Sequence, residues 1–288
     1  MNLVIGASGL VGWHLYQELT KRNEPTSGTY NQLCLDGMQK LDIRSLREVK
    51  EIIGGIKPSI IFLPAAIANV DLCELKPNFT SLTNITGAKY LIECAKQYNA
   101  FLIYFSSDYI FKGEAGPYQE SDTPEPICEY GRQKLIVENM VTHNLEEFLI
   151  IRTTIVYGWE HQKKNFVYQL VHKLRSGQPI SVPYDQIGTP TFVNDLARAV
   201  VDLALSKQKG VLHIAGSSRL NRYEFALSIA RIFNLNDTLI KPVSTSELNT
   251  TVKRPLSVGL RSTKASNILG RSFVDHITGL TNLVEIGI

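Results

Sequence analysis

The first half of the chain alternates between short apolar runs and amphipathic stretches, a pattern typical of strands that are each followed by a helix. The first run, Leu3–Ile5, leads into a glycine-rich turn and then into an amphipathic stretch that extends to about Arg22. Further strands are predicted at Thr26–Asn31, Ser59–Leu63, Phe101–Phe105 and Phe148–Arg152. The segments between these runs carry helical spacing, so the pattern predicts parallel strands joined by helical crossovers.

The predicted helices of this half are Ser45–Ile53 and Asp71–Lys96, and the second is expected to be two helices because proline breaks a helix interior at Pro77. A loop rich in proline and glutamate, Lys112–Pro126, precedes a further helix. Together these elements predict an α/β fold with a doubly wound, mostly parallel sheet of the Rossmann type.

Beyond about Tyr157 the regular alternation weakens. Helical segments there are separated by short apolar runs and by turns that contain proline: Phe166–Ser176, Val193–Leu205, Arg222–Phe233 and Ser262–Leu269. We therefore predict a smaller C-terminal substrate lobe that is interleaved with the last elements of the sheet. The expected division assigns 1–157 and about 190–216 to a dinucleotide-binding domain, and 158–189 and 217–288 to the substrate lobe.

The amino-acid composition argues against nucleic-acid binding and against a membrane location. The chain has 288 residues, 44% hydrophobic and 20% charged, with a net charge of +3. Its basic residues are dispersed, and the densest group, His161–Lys164, is too short for a nucleic-acid surface. No run approaches the roughly 20 apolar residues of a membrane helix, and an apolar strand begins within two residues of the N-terminus. These features predict a cytoplasmic protein that binds neither nucleic acid nor membrane.

The cysteines and histidines give no sign of a metal site. The four cysteines lie far apart without a Cys-x-x-Cys pair, and the six histidines lack a metal-binding spacing. We expect reduced thiols and no bound metal.

A glycine-rich turn follows the first predicted strand directly and opens the first helix. In such a turn Gly6 allows the tight bend, Gly9 lets a pyrophosphate approach the backbone, and Gly12 lets the helix pack on the strand. The residues expected to contact a dinucleotide cofactor here are Gly6, Ser8, Gly9, Leu10, Val11 and Gly12. A tight turn without a ligand is the alternative.

The end of the second strand bears on which nicotinamide cofactor is used. An acidic residue there binds the ribose 2′-hydroxyl of NAD, whereas Tyr30 and Asn31 offer no carboxylate, which favours NADPH and leaves NADH open. Asp42 and Ile43 are expected to border the adenine; a solvent-facing Asp42 is the alternative reading.

Tyr130 and Lys134 are four residues apart, so they share one face of the predicted helix. A phenol is a weak acid at neutral pH, and we expect Lys134 to lower the pKa of Tyr130 and to hold the nicotinamide ribose. Ser107, at a predicted strand end, would hydrogen-bond a substrate carbonyl. The alternative is an ordinary exposed helix face. Arg132 and Gln133, which lie between Tyr130 and Lys134, are expected to be solvated.

The chain resembles the extended short-chain dehydrogenase/reductases, most closely the branch that contains dTDP-4-dehydrorhamnose reductase and the regulatory beta subunit of methionine adenosyltransferase. The resemblance covers nearly the whole chain and rests on these residues: Gly6–Gly12, Ala65–Ala66, Val70–Asp71, Glu74, Pro77, Asn84, Ser106–Phe111, Tyr130–Gly131, Lys134, Arg152–Thr153, Val156–Gly158, Asp185–Thr191 and Arg254–Pro255.

The resemblance implies an NADPH-dependent reductase of the 4-keto group of a nucleotide-linked 6-deoxysugar. Tyr130 would be the proton donor, Lys134 its partner and ribose ligand, and Ser107 the group that orients the carbonyl. Ala65 and Ala66 would contact the cofactor. The implied substrate contacts are Ala68, Val70, Asp108, Tyr109, Ile155, Gln186 and Arg254.

Some positions depart from the reductase pattern, namely Leu10, Ala68, Leu72, Ile155 and Arg261. Leu10 and Ile155 match the regulatory subunit better, so a cofactor-binding regulatory subunit of another enzyme is an alternative function. A sugar-nucleotide epimerase is a third reading, disfavoured because no acid follows the second strand. A homodimer is left open.

Overall fold

The computed structural model describes residues 1–248 and 252–287. Its strands are β1 (Asn2–Val4), β2 (Thr26–Tyr30), β3 (Gln39–Lys40), β4 (Ile60–Leu63), β5 (Phe101–Ser107), β6 (Phe148–Thr153), β7 (Val156–Tyr157), β8 (Ile180–Pro183), β9 (Ile187–Gly188), β10 (Thr191–Phe192), β11 (Gly210–His213), β12 (Leu220–Asn221) and β13 (Ile240–Val243). Its α-helices are α1 (Leu10–Lys21), α2 (Leu46–Ile56), α3 (Val70–Leu75), α4 (Pro77–Ser81), α5 (Ala88–Gln97), α6 (Glu129–Asn144), α7 (Phe166–Arg175), α8 (Val193–Leu205), α9 (Arg222–Ile232), α10 (Thr263–Leu269) and α11 (His276–Glu285).

Seven strands form one sheet in the order β11-β6-β5-β4-β1-β2-β3, and each neighbouring pair is parallel. The order reverses between β1 and β4, as it does in Rossmann-type sheets, and ligands of such sheets bind at that reversal. The predicted fold class is confirmed.

Side chains of the central strands alternate between two separate cores. In β4, Ile60 and Phe62 pack with α1 and α8 on one face. Ile61 and Leu63 face the opposite side, where α2, α5 and α6 cover them. Because both faces are apolar and covered, the sheet is doubly wound.

A third core lies among α7, α9 and α11. Tyr157 and Phe192, from β7 and β10, pack against Phe225 of α9 in this core. The assignment of this part to a substrate lobe stays a prediction, and residues 249–251 and 288 of that predicted lobe lie outside the described residues.

The predicted helix break at Pro77 is confirmed. Helix α3 ends at Leu75, and Pro77 is the first residue of α4. Proline is tolerated there because an N–H group at the first helical position would have no hydrogen-bond partner within the helix. A π-helical segment, Leu82–Gly87, then joins α4 to α5. Over the part of the chain that the structure describes, no helix has the length and apolar character needed to cross a membrane.

Candidate active site

A cavity of about 900 Å³ opens where the parallel strands end. Its walls come from the segments that follow β1, β4, β5 and β6, and from the end of β2. The far side is closed by residues of the C-terminal half, including Gln186, Arg222 and Arg254. The cavity therefore spans the reversal point of the sheet, where this fold type binds ligands.

Nearly all the residues predicted for the site line this one cavity. They are Gly6, Ser8, Gly9, Leu10, Val11, Gly12, Tyr30, Asn31, Ile43, Ala65, Ala66, Ala68, Val70, Ser107, Asp108, Tyr109, Tyr130, Lys134, Ile155, Gln186 and Arg254. Asp42 is the exception. Its carboxylate is turned to Arg44, with Arg44 Nε 2.9 Å from Asp42 Oδ1, and it does not reach the cavity wall.

The glycine turn has the close approaches that require glycine. Gly6 has a φ of +78°, and a Cβ atom on Gly12 would lie 2.2 Å from the Gly6 carbonyl oxygen. Gly9 caps α1, so the N-terminal end of that helix begins at the cavity wall. Because a helix N-terminus presents free N–H groups and positive partial charge, the turn fits a pyrophosphate.

Ser107 and the helix that carries Tyr130 are brought together by tight backbone packing. Ser107 is the last residue of β5, and Tyr130 lies in the first turn of α6. Between them, Gly131 lets α6 approach, since a Cβ atom there would lie 2.1 Å from the Tyr109 carbonyl oxygen. A hydrogen bond with Ser107 lowers the pKa of Tyr130, although burial, the larger effect, raises it well above the usual value.

Lys134 lies beside Tyr130, and its lowering of the Tyr130 pKa stays a prediction, since burial sets the direction of the overall shift. Its Nζ donates a hydrogen bond to the Phe105 carbonyl oxygen at 2.7 Å and lies 5.8 Å from the centre of the Tyr130 ring. Burial also lowers the pKa of Lys134 itself, to about 8. Burial therefore outweighs the other effects on the pKa values of both groups.

Asp108 is buried beside Ser107 and is held by two hydroxyl donors. Ser107 Oγ donates to Asp108 Oδ1 at 3.2 Å, and Thr154 Oγ1 donates to Asp108 Oδ2 at 2.5 Å. Burial raises the pKa of Asp108 to about 6, against the lowering effect of these hydrogen bonds. The carboxyl group therefore titrates close to neutral pH.

Gln133 is buried, with 0% of its surface exposed, so the expectation of a solvated side chain was wrong. Its Nε2 donates to Thr80 Oγ1 at 3.0 Å, and its Oε1 accepts from Asn84 Nδ2 at 2.8 Å. Arg132 does face outward, where it pairs with Glu129.

Several residues of the cavity wall were not among the predicted site residues, among them Asp71, Thr154 and Arg222. Arg254 Nη2 donates to Asp71 Oδ2 at 2.7 Å, so the two form an ion pair at the distal side. Arg222 follows Asn221, which forms a capping box with Glu224. The capping box can be recognised in the sequence and marks the helix start, but it is the antiparallel pairing of β9 with β12 that brings this helix start to the cavity.

No group of three or more potential metal ligands occurs among residues 1–248 and 252–287.

The fold and the cavity define a Rossmann-type α/β protein in which a dinucleotide-type glycine turn and a Ser-Tyr-Lys set face one space. The chain belongs to the family described as RmlD substrate binding domain, whose model matches residues 1–286. The predicted resemblance to the branch that contains dTDP-4-dehydrorhamnose reductase and the regulatory beta subunit of methionine adenosyltransferase is confirmed.

Two relatives with different names illustrate the similarity. A dTDP-4-dehydrorhamnose reductase of Aggregatibacter actinomycetemcomitans is 30% identical over 293 residues, covering 98% of this chain and 97% of the relative. The methionine adenosyltransferase 2 subunit beta of Xenopus tropicalis is 31% identical over 273 residues, covering 92% of this chain and 81% of the relative. The crystal structure of dTDP-4-dehydrorhamnose reductase from Bacillus anthracis in complex with NADP matches with a TM-score of 0.90 at 28% identity, over 99% of this chain and 98% of that one.

Proposed function

We propose that the protein is an NADPH-dependent reductase of the 4-keto group of a nucleotide-linked 6-deoxysugar. The observation that carries the proposal is the convergence of Ser107, Tyr130 and Lys134 with the glycine turn in one cavity. The full-length similarity to a dTDP-4-dehydrorhamnose reductase supports the substrate class.

The cofactor fits the glycine turn and the end of β2. The turn would hold its pyrophosphate, and Tyr30 and Asn31 leave the 2′ position of the ribose without an opposing carboxylate, which supports NADPH over NADH. When bound, NADPH supplies the hydride. The side chains that face the cavity then have to donate one proton to the substrate oxygen and stabilise the negative charge that develops on it.

Tyr130 is placed to give its phenolic proton to the substrate oxygen, and Ser107 to hydrogen-bond the same oxygen. Lys134 holds α6 to the end of β5 through the Phe105 carbonyl, and its ammonium would also bind the nicotinamide ribose. Because burial raises the pKa of Tyr130, its hydroxyl remains protonated at neutral pH and is ready to donate.

The direct test is NADPH oxidation, followed by absorbance, with dTDP-4-dehydro-6-deoxy-L-mannose as substrate. The proposal expects turnover with NADPH and a larger KM for NADH. If NADPH binds but no turnover occurs with this substrate or with other nucleotide-linked 4-keto sugars, the proposal is wrong.

A cofactor-binding regulatory subunit is the second candidate, favoured by the 31% identity to a methionine adenosyltransferase 2 subunit beta and by Leu10 and Ile155 in the cavity wall. It expects NADPH binding without turnover, and a change in the activity of a methionine adenosyltransferase from the same source when the two are mixed. A homodimer and a cytoplasmic location stay predictions.

A further inference from the structure

A second cavity, of about 450 Å³, lies beside the carboxyl end of β11, the edge strand of the seven-stranded sheet. Its wall is formed by residues that follow β11, by the first half of α10 and by the segment between α10 and α11. Among the described residues, none lines both this cavity and the active-site cavity. Its volume falls in the range of small-molecule sites, about 300–1,000 Å³.

The wall of this second cavity combines positive charge with hydroxyl groups. Its charged residues are Arg219 and Arg261, and within the described part of the chain no aspartate or glutamate belongs to the wall. Leu260 and Phe273 form a buried floor, with 3% and 6% of their surfaces exposed. The partly or fully exposed neutral polar residues of the wall are Ser217, Ser262, Thr263, Ser266, Asn267 and Ser272.

The guanidinium group of Arg219 is held in a fixed position by uncharged partners. Its Nε donates to the Val258 carbonyl oxygen at 3.2 Å, and its Nη2 donates to Ser257 Oγ at 2.8 Å. Among residues 1–248 and 252–287, its Nη1 has no acceptor and the group has no carboxylate partner. Because its position is already fixed, the group loses little conformational freedom when it binds an anion.

Arg261 adds a second guanidinium group to the same wall. Its backbone is anchored, because the N–H group donates to the Tyr118 carbonyl oxygen at 2.7 Å. Its side chain is exposed and, over the residues that the structure describes, has neither an ion pair nor a hydrogen bond. Arg261 is also one of the positions at which the chain departs from the reductase pattern.

A carboxylate close to the floor of this cavity is already neutralised. Asp195 Oδ2 accepts a hydrogen bond from the backbone N–H of Val274, the residue after Phe273. Its Oδ1 accepts from Arg271 Nη1, so the charge of Asp195 is compensated by an arginine outside the wall. The positive charges of Arg219 and Arg261 therefore remain available to a ligand.

We propose that the second cavity binds the phosphate monoester of a sugar, with Arg219 and Arg261 on the phosphate group and the serine and threonine hydroxyl groups on the sugar. The planar fork of arginine binds phosphate oxygens with two parallel hydrogen bonds. A serine or threonine hydroxyl both donates and accepts, which matches the hydroxyl groups of a sugar. This binding does not depend on the proposed reductase function, because the two cavities are separate.

The test is calorimetric titration of glucose 1-phosphate, glucose and inorganic phosphate into the full-length protein. Glucose 1-phosphate should bind more tightly than either of the other two probes, because each of them makes only part of the contacts. Arg261→Gln and Arg219→Gln should each weaken glucose 1-phosphate binding by about tenfold to a hundredfold, since a hydrogen bond between charged groups is lost. Arg261→Lys should lose less than Arg261→Gln because it keeps the charge.

Two variants serve as controls and should leave the affinity for glucose 1-phosphate unchanged. Arg231→Gln removes the same charge from an exposed position on α9 outside the wall, and Arg254→Gln removes a cation from the active-site cavity. The proposal would be overturned by a wild-type protein that does not bind glucose 1-phosphate, or by an equal loss in Arg231→Gln and Arg261→Gln. A loss in Arg254→Gln without one in Arg261→Gln would place the ligand in the active-site cavity and would also overturn it. Inorganic phosphate that binds as tightly as glucose 1-phosphate would show that the sugar is not recognised.

Discussion

Asn84 donates a hydrogen bond from Nδ2 to Oε1 of Gln133 at 2.8 Å, which joins the π-helical segment to α6. The same Asn84 side chain accepts from the Ile67 backbone N–H at 2.7 Å and donates to the Ile67 carbonyl oxygen at 3.0 Å. Ile67 lies in the cavity wall between Ala66 and Ala68. The helix that carries Tyr130 is thus tied to the loop after β4 through buried amide groups.

Replacing Gln133 with leucine should destabilise the protein by about 1–3 kcal/mol, because it removes the acceptor of one buried Asn84 N–H and the donor to Thr80 Oγ1. Urea unfolding measures the change. Arg132→Leu is the control, since it changes the adjacent but outward-facing position and should cost less than about 1 kcal/mol. Equal losses in the two variants would show that the buried network contributes nothing specific.

Tyr130→Phe should reduce the turnover number for the keto sugar by about 10²–10⁴-fold, because the proton donor is lost while the ring remains. NADPH affinity, measured by fluorescence titration, should stay close to that of the wild type. Tyr104→Phe is a suitable control: Tyr104 is also buried, but it packs in the core between the sheet and α6. A Tyr130→Phe protein with full turnover would exclude the assigned proton donor.

Ionisation of Asp108 should make the free energy of unfolding decrease as the pH rises. Burial raises the pKa of Asp108 from its ordinary value of 3.8 to about 6 on folding, so its contribution to the free energy of unfolding is fully present below about pH 4 and is lost as the pH rises through 6. By neutral pH the loss amounts to roughly 3 kcal/mol at most.

Asp108→Asn should remove this dependence. Between pH 4 and 7 the unfolding free energy of the wild type should fall relative to that of the variant, as measured by urea unfolding at each pH. Asp36→Asn, at an exposed position, controls for the loss of one negative charge. The prediction would be contradicted if the free energies of unfolding of the wild type and of Asp108→Asn changed equally with pH.

The ion pair between Arg152 and Glu138 is buried, with side-chain exposures of 6% and 5%, and Arg152 Nη2 lies 2.7 Å from Glu138 Oε2. Glu138→Gln should cost about 3–5 kcal/mol, because it leaves a buried guanidinium without its counter-ion. The pair of Lys209 with Glu147 is exposed by 50% and 40%, so Glu147→Gln should cost less than about 1 kcal/mol. Thermal and urea unfolding of both variants would measure the difference. Similar losses in the free energy of unfolding would show that burial does not determine how much these ion pairs contribute to stability.

Local patterns predicted the elements well. The strand runs, the glycine turn and the break at Pro77 depend on side-chain alternation and backbone chemistry within a few contiguous residues. Gln133 shows where that reasoning fails. A polar residue between Tyr130 and Lys134 looks exposed on a helix, and its burial depends on Thr80 and Asn84, about fifty residues earlier in the chain.

The sequence by itself determined the fold class, the glycine turn and the Ser-Tyr-Lys set, because each is carried by short spacings that a strand or helix turns into geometry. The tertiary structure was needed to show that Gln133 is buried against Thr80 and Asn84, that burial raises the pKa of Tyr130, and that Arg222 lies near Arg254. Charge and solvation at these positions depend on which distant segments pack together. That information lies in long-range contacts and not in local spacing.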